Sequence, residues 1–271
     1  MYIWRTLLES KTMKKKVSVF NFSGIYEKES FYLKDKGSYL CDTYENIEEP
    51  KMLDFSSLAG TNCFCDDIAR DEIRKTITEN GIRPDEIHFI DNGNYHYMSA
   101  ILTEQIKEPF SLIVLDHHPD MQPPMFGDIL SCGGWVLDVL EKNEYVRDIH
   151  VIGADRDLIS KLDESIQNKA KFYDLEDIFD GEVRLPETLY PVYLSIDKDV
   201  VTRDELTTNW DQGQMTIDQL KEFVKKLQAE RNVIGIDICG ECAPDQEDCD
   251  VDKATLGNDQ LNDELLRVLC E

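Results

Sequence analysis

The sequence predicts an α/β fold built on a doubly wound, mainly parallel sheet, and three observations carry the prediction. Short β-branched and aromatic runs alternate with longer amphipathic segments along all 271 residues. Runs such as Ser-Leu-Ile-Val-Leu-Asp at 111–116 and Val-Ile-Gly-Ile-Asp-Ile at 233–238 are apolar on both faces, as strands covered by helices on both sides must be. No internal repeat or low-complexity linker interrupts the alternation, so 1–271 is expected to be a single domain.

The elements follow in order. Strands are expected at 17–22, 86–90, 111–115, 148–153, 192–196 and 233–238, where apolar runs end in turn-forming residues. Helices are expected at 66–80, 97–106, 135–141, 158–170, 216–230 and 258–269. Thr216 followed by Gln219 is a capping-box pair, with Asp218 adding favourable charge in the first turn. Residues 26–62 are irregular and mixed, and are expected to form a lid or small subdomain. From 241 to 264 the chain carries nine acidic residues against one basic, Lys253, which reads as a solvated acidic loop.

Composition narrows the function. With 29 Lys+Arg against 55 Asp+Glu the formal charge is −26, which argues against a nucleic-acid or anionic-membrane partner because either needs a basic surface. No run approaches the length of a membrane span and the start has no clean apolar leader, so a cytoplasmic location is expected. The eight cysteines are then expected to be reduced. Cys239 and Cys242 form a C-x-x-C with no second pair or matching histidine to complete a structural zinc site.

In open parallel sheets ligands collect at the carboxyl ends of strands, so the polar residues there matter most. The strand at 111–115 runs into Asp116-His117-His118-Pro119-Asp120, and that at 192–196 into Asp197-Lys198-Asp199. The strand at 86–90 leads through Asp91-Asn92-Gly93-Asn94-Tyr95 to His96, and that at 233–238 through Cys239-Gly240 to Glu241. Alternation along extended backbone puts Asp116, His118 and Asp120 on one side, and Asp197 with Asp199 likewise. A lone D-x-D or a lone histidine is more often a cap or a core residue than a ligand. Four carboxylates and two imidazoles converging together would repel one another strongly without one or two divalent cations. Oxygen and imidazole donors without thiolates suit manganese, with iron, cobalt or zinc as alternatives.

His96, the D-x-H-x-D at 116–120 and the Ser195-Ile196-Asp197-Lys198-Asp199 motif together resemble the ureohydrolase superfamily of arginases, agmatinases and formiminoglutamases. The resemblance spans roughly 86 to 244 and implies a three-layer α/β/α fold and two Mn²⁺ ions per chain. It implies six ligands, His96, Asp116, His118, Asp120, Asp197 and Asp199. Asp116 and Asp197 would be shared between the ions, His96 and Asp120 would complete one, and His118 and Asp199 the other. The implied reaction is hydrolysis of a guanidino group to urea and an amine by a water that the cations activate, with Asp120 steering that water. Glu241 would bind the substrate guanidinium, and the resemblance allows a homo-oligomer, a trimer or hexamer.

The chain departs from that pattern in two places. Members carry a proton-relaying histidine shortly after D-x-H-x-D, whereas residues 130–136 contain none, and Cys132 is the candidate to stand there. After Asp199 the family's usual substrate loop is replaced by a segment in which Asp204 and Trp210 are candidate substrate-binding residues. Gly-Asn-Tyr-His at 93–96, Leu-Asp-His-His-Pro-Asp at 115–120 and Ser-Cys-Gly-Gly-Trp at 131–135 resemble a divergent branch that includes peptide arginases. Those enzymes convert arginine side chains of peptides to ornithine, so the expected partner is a guanidino small molecule or an arginine-containing peptide. Three alternatives stand beside this reading. One is a one-zinc deacylase of the histone-deacetylase type. Another, resting only on Asp116-His117-His118, is a DHH phosphoesterase. The third is a metal-binding regulatory protein without turnover.

Overall fold

Eight strands form one fully parallel sheet in a computed structural model that describes residues 14–33 and 46–271. In chain order they are β1 (Val17–Asn21), β2 (Lys51–Asp54), β3 (Ile87–Ile90), β4 (Phe110–Leu115), β5 (Val146–Ile152), β6 (Lys171–Tyr173), β7 (Val192–Asp197) and β8 (Val233–Cys239). Their spatial order is β2-β1-β3-β8-β7-β4-β5-β6, with every neighbouring pair parallel.

The helices are α1 (Asp67–Glu79), α2 (Met98–Thr103), α3 (Trp135–Lys142), α4 (Arg156–Ser160), α5 (Glu164–Gln167), α6 (Leu175–Ile178), α7 (Ile217–Glu230) and α8 (Val251–Cys270). Two apolar layers sandwich the sheet. Val19, Phe89, Leu194 and Ile196 pack with Phe223 of α7 and Leu265 of α8 on one face. Phe20, Ile90, Leu112 and Val114 pack with Ile73 of α1, Leu102 of α2 and Trp135 of α3 on the other. Neighbouring strand residues thus enter opposite layers, which is why β4 is buried along its whole length and its sequence shows no polar alternation. The result is the expected three-layer arrangement.

Four sequence-based expectations need correction. The stretch at 158–170 is two short helices, α4 and α5, because Leu162 N–H turns back to Ile159 O and Asp163 is extended before α5 begins. The acidic stretch at 241–264 is only partly a loop. Asp250 caps α8 by accepting from Lys253 N–H, so the helix starts seven residues before the expected position and carries Asp252, Asp259, Asp263 and Glu264 of that stretch. Asp259 on α8 accepts from Ser30 N–H, Ser30 Oγ–H and Phe31 N–H, pinning the segment after β1. Residues 26–62 are not simply a lid, since they contribute β2 to the sheet edge; residues 34–45 of that stretch lie outside the described residues. β2 and β6 escape sequence reading because edge strands of three or four residues bury few side chains. No helix among the described residues is long and apolar enough to cross a membrane. Cys41 and the alternative starts Met1 and Met13 also fall outside the described residues.

β3 and β4 follow one another in the chain but lie on opposite sides of the β8–β7 pair. A crevice opens at the carboxyl ends where the winding reverses in this way, and the polar strand ends meet there.

Candidate metal centre and active-site cleft

Register brings the ligands together. Ile196 pairs with Leu115, so Asp197 and Asp116 leave the sheet side by side. Past β3, Asn92 caps a single 3₁₀ turn at Gly93–Tyr95, which delivers His96 to the same point. Past β7, Asp197 Oδ1 accepts from Asp199 N–H at 3.0 Å, and this closes the turn that presents Asp199. Asp199 Oδ1 accepts from His117 N–H at 3.0 Å while its Oδ2 lies 2.8 Å from His118 Nδ1, linking the two strand ends.

Two candidate ligand sets result, His96 with Asp116 and Asp120, and Asp116 with His118 and Asp199, the donor atoms of each set lying within 4.8 Å of one another. Asp116 is common to both. Asp197 Oδ2 stands 3.3 Å from His96 Nδ1, beside the first set.

The tautomer of His96 tests whether a metal fits. Ser195 Oγ–H donates to Asp237 Oδ1 at 2.5 Å, which leaves the Ser195 oxygen to accept from His96 Nε2–H at 2.9 Å. That places one ring proton on Nε2 and aims Nδ1 at Asp116, Asp120 and Asp197 at 3.3, 3.2 and 3.3 Å. Burial opposes a charged His96, but the three carboxylates outweigh it and raise the imidazole well above its usual range, so that a proton holds the Nδ1 position unless a metal takes it. Nδ1 and Asp116 Oδ2 are both buried without a hydrogen-bond partner. A ring nitrogen aimed at three carboxylates needs a proton or a metal cation between them, and this donor set fits a metal. The titration of the neighbouring groups reflects the same crowding. Burial, then the Asp116 charge, pushes Asp120 up to about 6. Burial, then Asp197 and Asp116, raises Asp199 well above the carboxylate range. Burial opposes a charged His118, but Asp116 and Asp199 outweigh it and bring the imidazole to about 12. A metal ion would displace these protons on binding.

Two residues that the sequence reading did not single out support the ligands. Trp135 is fully buried, donates from Nε1 to Asp120 Oδ2 at 2.8 Å, and holds its ring 4.8 Å from His96. Asp120 needs that hold, because its φ of +47° is in the left-handed region. Asp237, reached through Ser195, orients His96 as a carboxylate behind a metal-ligating histidine does. The only advance signals were the Ser at the head of the 195–199 motif and the Trp closing 131–135. Trp135→Phe keeps the ring and removes the donor. It is expected to weaken Mn²⁺ binding by about 10- to 100-fold with the fold intact, as read by metal titration and circular dichroism.

The ligands floor a cleft of about 270 Å³ whose walls include Cys63, Phe64, Met125, Cys132 and Trp210. Trp210 Nε1–H donates to Asn94 Oδ1 at 3.0 Å, and its ring stands 6.0 Å from that of His118. Gly93 makes room for it, since a Cβ there would lie 2.5 Å from Trp210 Cδ1.

Two expected substrate-binding residues are elsewhere. Asp204 lines a separate surface pocket with Arg203, Asp250 and Lys253, because the loop after β7 turns away from the ligands. Glu241 is fully buried, and its Oε1 is bound by Lys198 Nζ at 2.5 Å and by Asn262 Nδ2 at 2.8 Å. Lys198, between two ligands in sequence, points into the interior and takes the carboxylate that was expected to meet a guanidinium. The C-x-x-C pair is also internal, with Cys239 Sγ donating to Asn92 O and Cys242 Sγ beside Thr255 Oγ1.

Comparison with known proteins agrees with this geometry. An uncharacterized protein of Thermotoga maritima is 30% identical over 158 residues, which are 58% of this chain and 59% of that protein. The alignment therefore spans less than two thirds of that relative. Among solved structures, proclavaminate amidino hydrolase from Streptomyces clavuligerus superposes with a TM-score of 0.66 at 14% identity, covering 96% of this chain and 93% of that one. Formimidoylglutamase from Bacillus subtilis superposes with a TM-score of 0.64 at 16% identity, covering 96% and 89%. At these identities the two structures speak for the fold alone. The sequence signature of the arginase family matches residues 92–261, well over half of the chain and the stretch that contains all six ligand positions. The chain therefore belongs to the arginase family, within the ureohydrolase superfamily.

Proposed function

We propose that this chain is a dimanganese hydrolase that cleaves a guanidino C–N bond to give urea and an amine, and that its substrate is an arginine side chain within a peptide, left as ornithine. The observation that carries the reading is the pair of ligand sets sharing Asp116 at the floor of an open cleft. Carboxylate and imidazole donors without thiolate suit Mn²⁺. When bound, two such cations supply Lewis acidity and a water activated for attack at neutral pH.

The chain's own residues supply the rest. Asp120 keeps Oδ2 on the Trp135 indole, leaving Oδ1 to take the hydrogen bond of the attacking water. Cys132 is raised by its contact with Cys63 and by burial, so its thiol stays protonated at neutral pH. A proton donor to the departing amine needs that state. With Glu241 held by Lys198, the guanidinium has the face of Trp210, whose N–H is already satisfied by Asn94, and the cleft carboxylates.

Peptide-borne arginine is favoured over the free amino acid by the rim. Met125 and Trp210, 69% and 42% exposed, line the cleft, an apolar border suited to a chain flanking the arginine. The net charge of −26 favours a cationic ligand as well.

The test is metal analysis of the purified protein joined to a urea-release screen over arginine, agmatine, guanidino acids and arginine-containing peptides. The expected result is two manganese per chain, with urea and an ornithine-containing product from a peptide. Urea from a free guanidino compound alone would overturn the peptide assignment, and no urea from any of them would overturn the reaction. Trp210→Ala is expected to raise KM for the active substrate about tenfold, the worth of one cation–π face, with kcat little changed.

A further inference from the structure

Two of the cleft-lining residues, Cys63 and Cys132, are not accounted for by metal binding. They face each other across a small antiparallel pair in which Phe64 is opposite Ser131 and Cys65 opposite Leu130. Continuing that register places Cys63 opposite Cys132, and Cys132 N–H donates to Cys63 O at 2.9 Å. Directly opposed residues of a hydrogen-bonded antiparallel pair have Cα atoms about 5.5 Å apart, inside the range of about 4.4–6.8 Å that a disulfide spans.

We propose that Cys63 and Cys132 are an oxidisable dithiol that closes to a disulfide across the mouth of the metal cleft, with a peroxide as the oxidant.

The thiols are close enough to interact, and both are partly exposed. Cys65, two residues along, is buried, as are Cys239 and Cys242. Cys63 also holds a φ of +59°, a left-handed conformation imposed by its surroundings rather than by its own preference. The hydrogen bond from Cys132 outweighs burial and brings the Cys63 thiol down to about 7, so much of it is thiolate near neutral pH.

The chemistry balances. Cys63 thiolate attacks one peroxide oxygen, the O–O bond breaks, and a sulfenic acid forms while the other oxygen leaves as water after taking a proton. Cys132 sulfur then attacks the sulfenic sulfur, the S–O bond breaks, and a second water leaves with the Cys132 proton. Two thiols and one hydrogen peroxide become one disulfide and two waters.

The cross-link would tie together two cleft-lining segments, the one entering Phe64 and the one leaving Ser131. Neighbouring Asn62 accepts from Asn94 Nδ2 at 2.8 Å, and Asn94 in turn holds the Trp210 indole. On the other side Cys132 leads directly into Gly133, Gly134 and Trp135, the residue that carries Asp120.

The test uses the metal-loaded full chain treated with hydrogen peroxide, blocked with an alkylating agent, and mapped by peptide mass spectrometry. Expected are a linked peptide joining Cys63 to Cys132, a fall of two in the reactive-thiol count, and reversal of both by dithiothreitol. Cys63→Ser, shown folded by circular dichroism, should give no linked peptide and no fall by pairs. Two free thiols at 63 and 132 after oxidation, or sulfinic acid at Cys63 without the link, would overturn the proposal. Because the link is read by mass, it stands or falls independently of whether urea is formed.

Discussion

Asp116→Ala is expected to remove both cations and abolish turnover. Asp116 is the only side chain in both ligand sets, so its loss opens both at once, whereas removing Asp120 or Asp199 opens one. The carboxylate also organises protein around it, since its Oδ1 accepts from His118 N–H at 2.5 Å and so shapes the turn that presents His118. Cation-assisted activation is worth several kcal/mol, which corresponds to a rate loss of about a thousandfold or more. Metal content by mass spectrometry and urea release should fall together. Retention of two manganese and of activity by Asp116→Ala would remove the basis for a shared-ligand centre. Asp199→Ala makes the comparison, with one ion expected to remain because His96, Asp116 and Asp120 are untouched.

The candidate ligands were legible because each depends on a local rule, and five of the six, all but Asp197, fall in the two clusters. Alternation in extended backbone determines which of residues 116–120 share a side, and parallel strands end at a common edge, so D-x-H-x-D and D-x-D could be placed together without knowing which strand neighbours which. The supporting residues were not legible for the complementary reason. Asp237 lies inside β8 and becomes the partner of Ser195 only because β8 pairs with β7, with Ser195 opposite Asp237 in the register. Trp135 meets Asp120 only because the chain bends left-handed at Asp120 and returns along α3. The pairing of Glu241 with Lys198 shows the same limit. The position of Glu241 at a strand end was read correctly, but the direction of Lys198 is set by the 3₁₀ turn at Lys198–Val200, which no pattern in the sequence reveals. The same limit applies to Cys63 and Cys132, far apart in sequence and joined only by a pair of two-residue strands.

Glu241→Ala should therefore act on stability before it acts on substrate. Lys198 and Glu241 are both fully buried, and the ammonium has two acceptors, Glu241 Oε1 at 2.5 Å and Asn262 Oδ1 at 2.9 Å. Asn262 closes the cluster by donating to Glu241 Oε1 at 2.8 Å and to Glu29 Oε2 at 3.0 Å. Burial, then the Glu241 charge, raises Glu29 well above the carboxylate range, which favours its neutral form while Glu241 is present. Removing Glu241 takes the contacting carboxylate from a buried ammonium, which costs about 3–5 kcal/mol less the part that Glu29 restores by ionising in its place. For a chain of this size that lowers Tm by on the order of 10 °C. Replacing the pair together, Lys198→Met with Glu241→Leu, should recover most of the loss, since apolar side chains of similar volume substitute for a buried ion pair at little net cost. A guanidinium ligand predicts the opposite pattern. Under that role Glu241→Ala would leave Tm near the parent value, raise KM strongly, and gain nothing from a second change at Lys198. Thermal unfolding of the two variants, with KM measured below their Tm, separates the two roles. The buried-pair role also makes Lys198 the link between stability and the metal centre. Lys198, whose ammonium draws Glu241 inward, lies between Asp197 and Asp199 in the chain, within the turn closed by Asp199 N–H on Asp197 Oδ1, so a variant that frees Lys198 should weaken metal binding even though neither candidate ligand has changed.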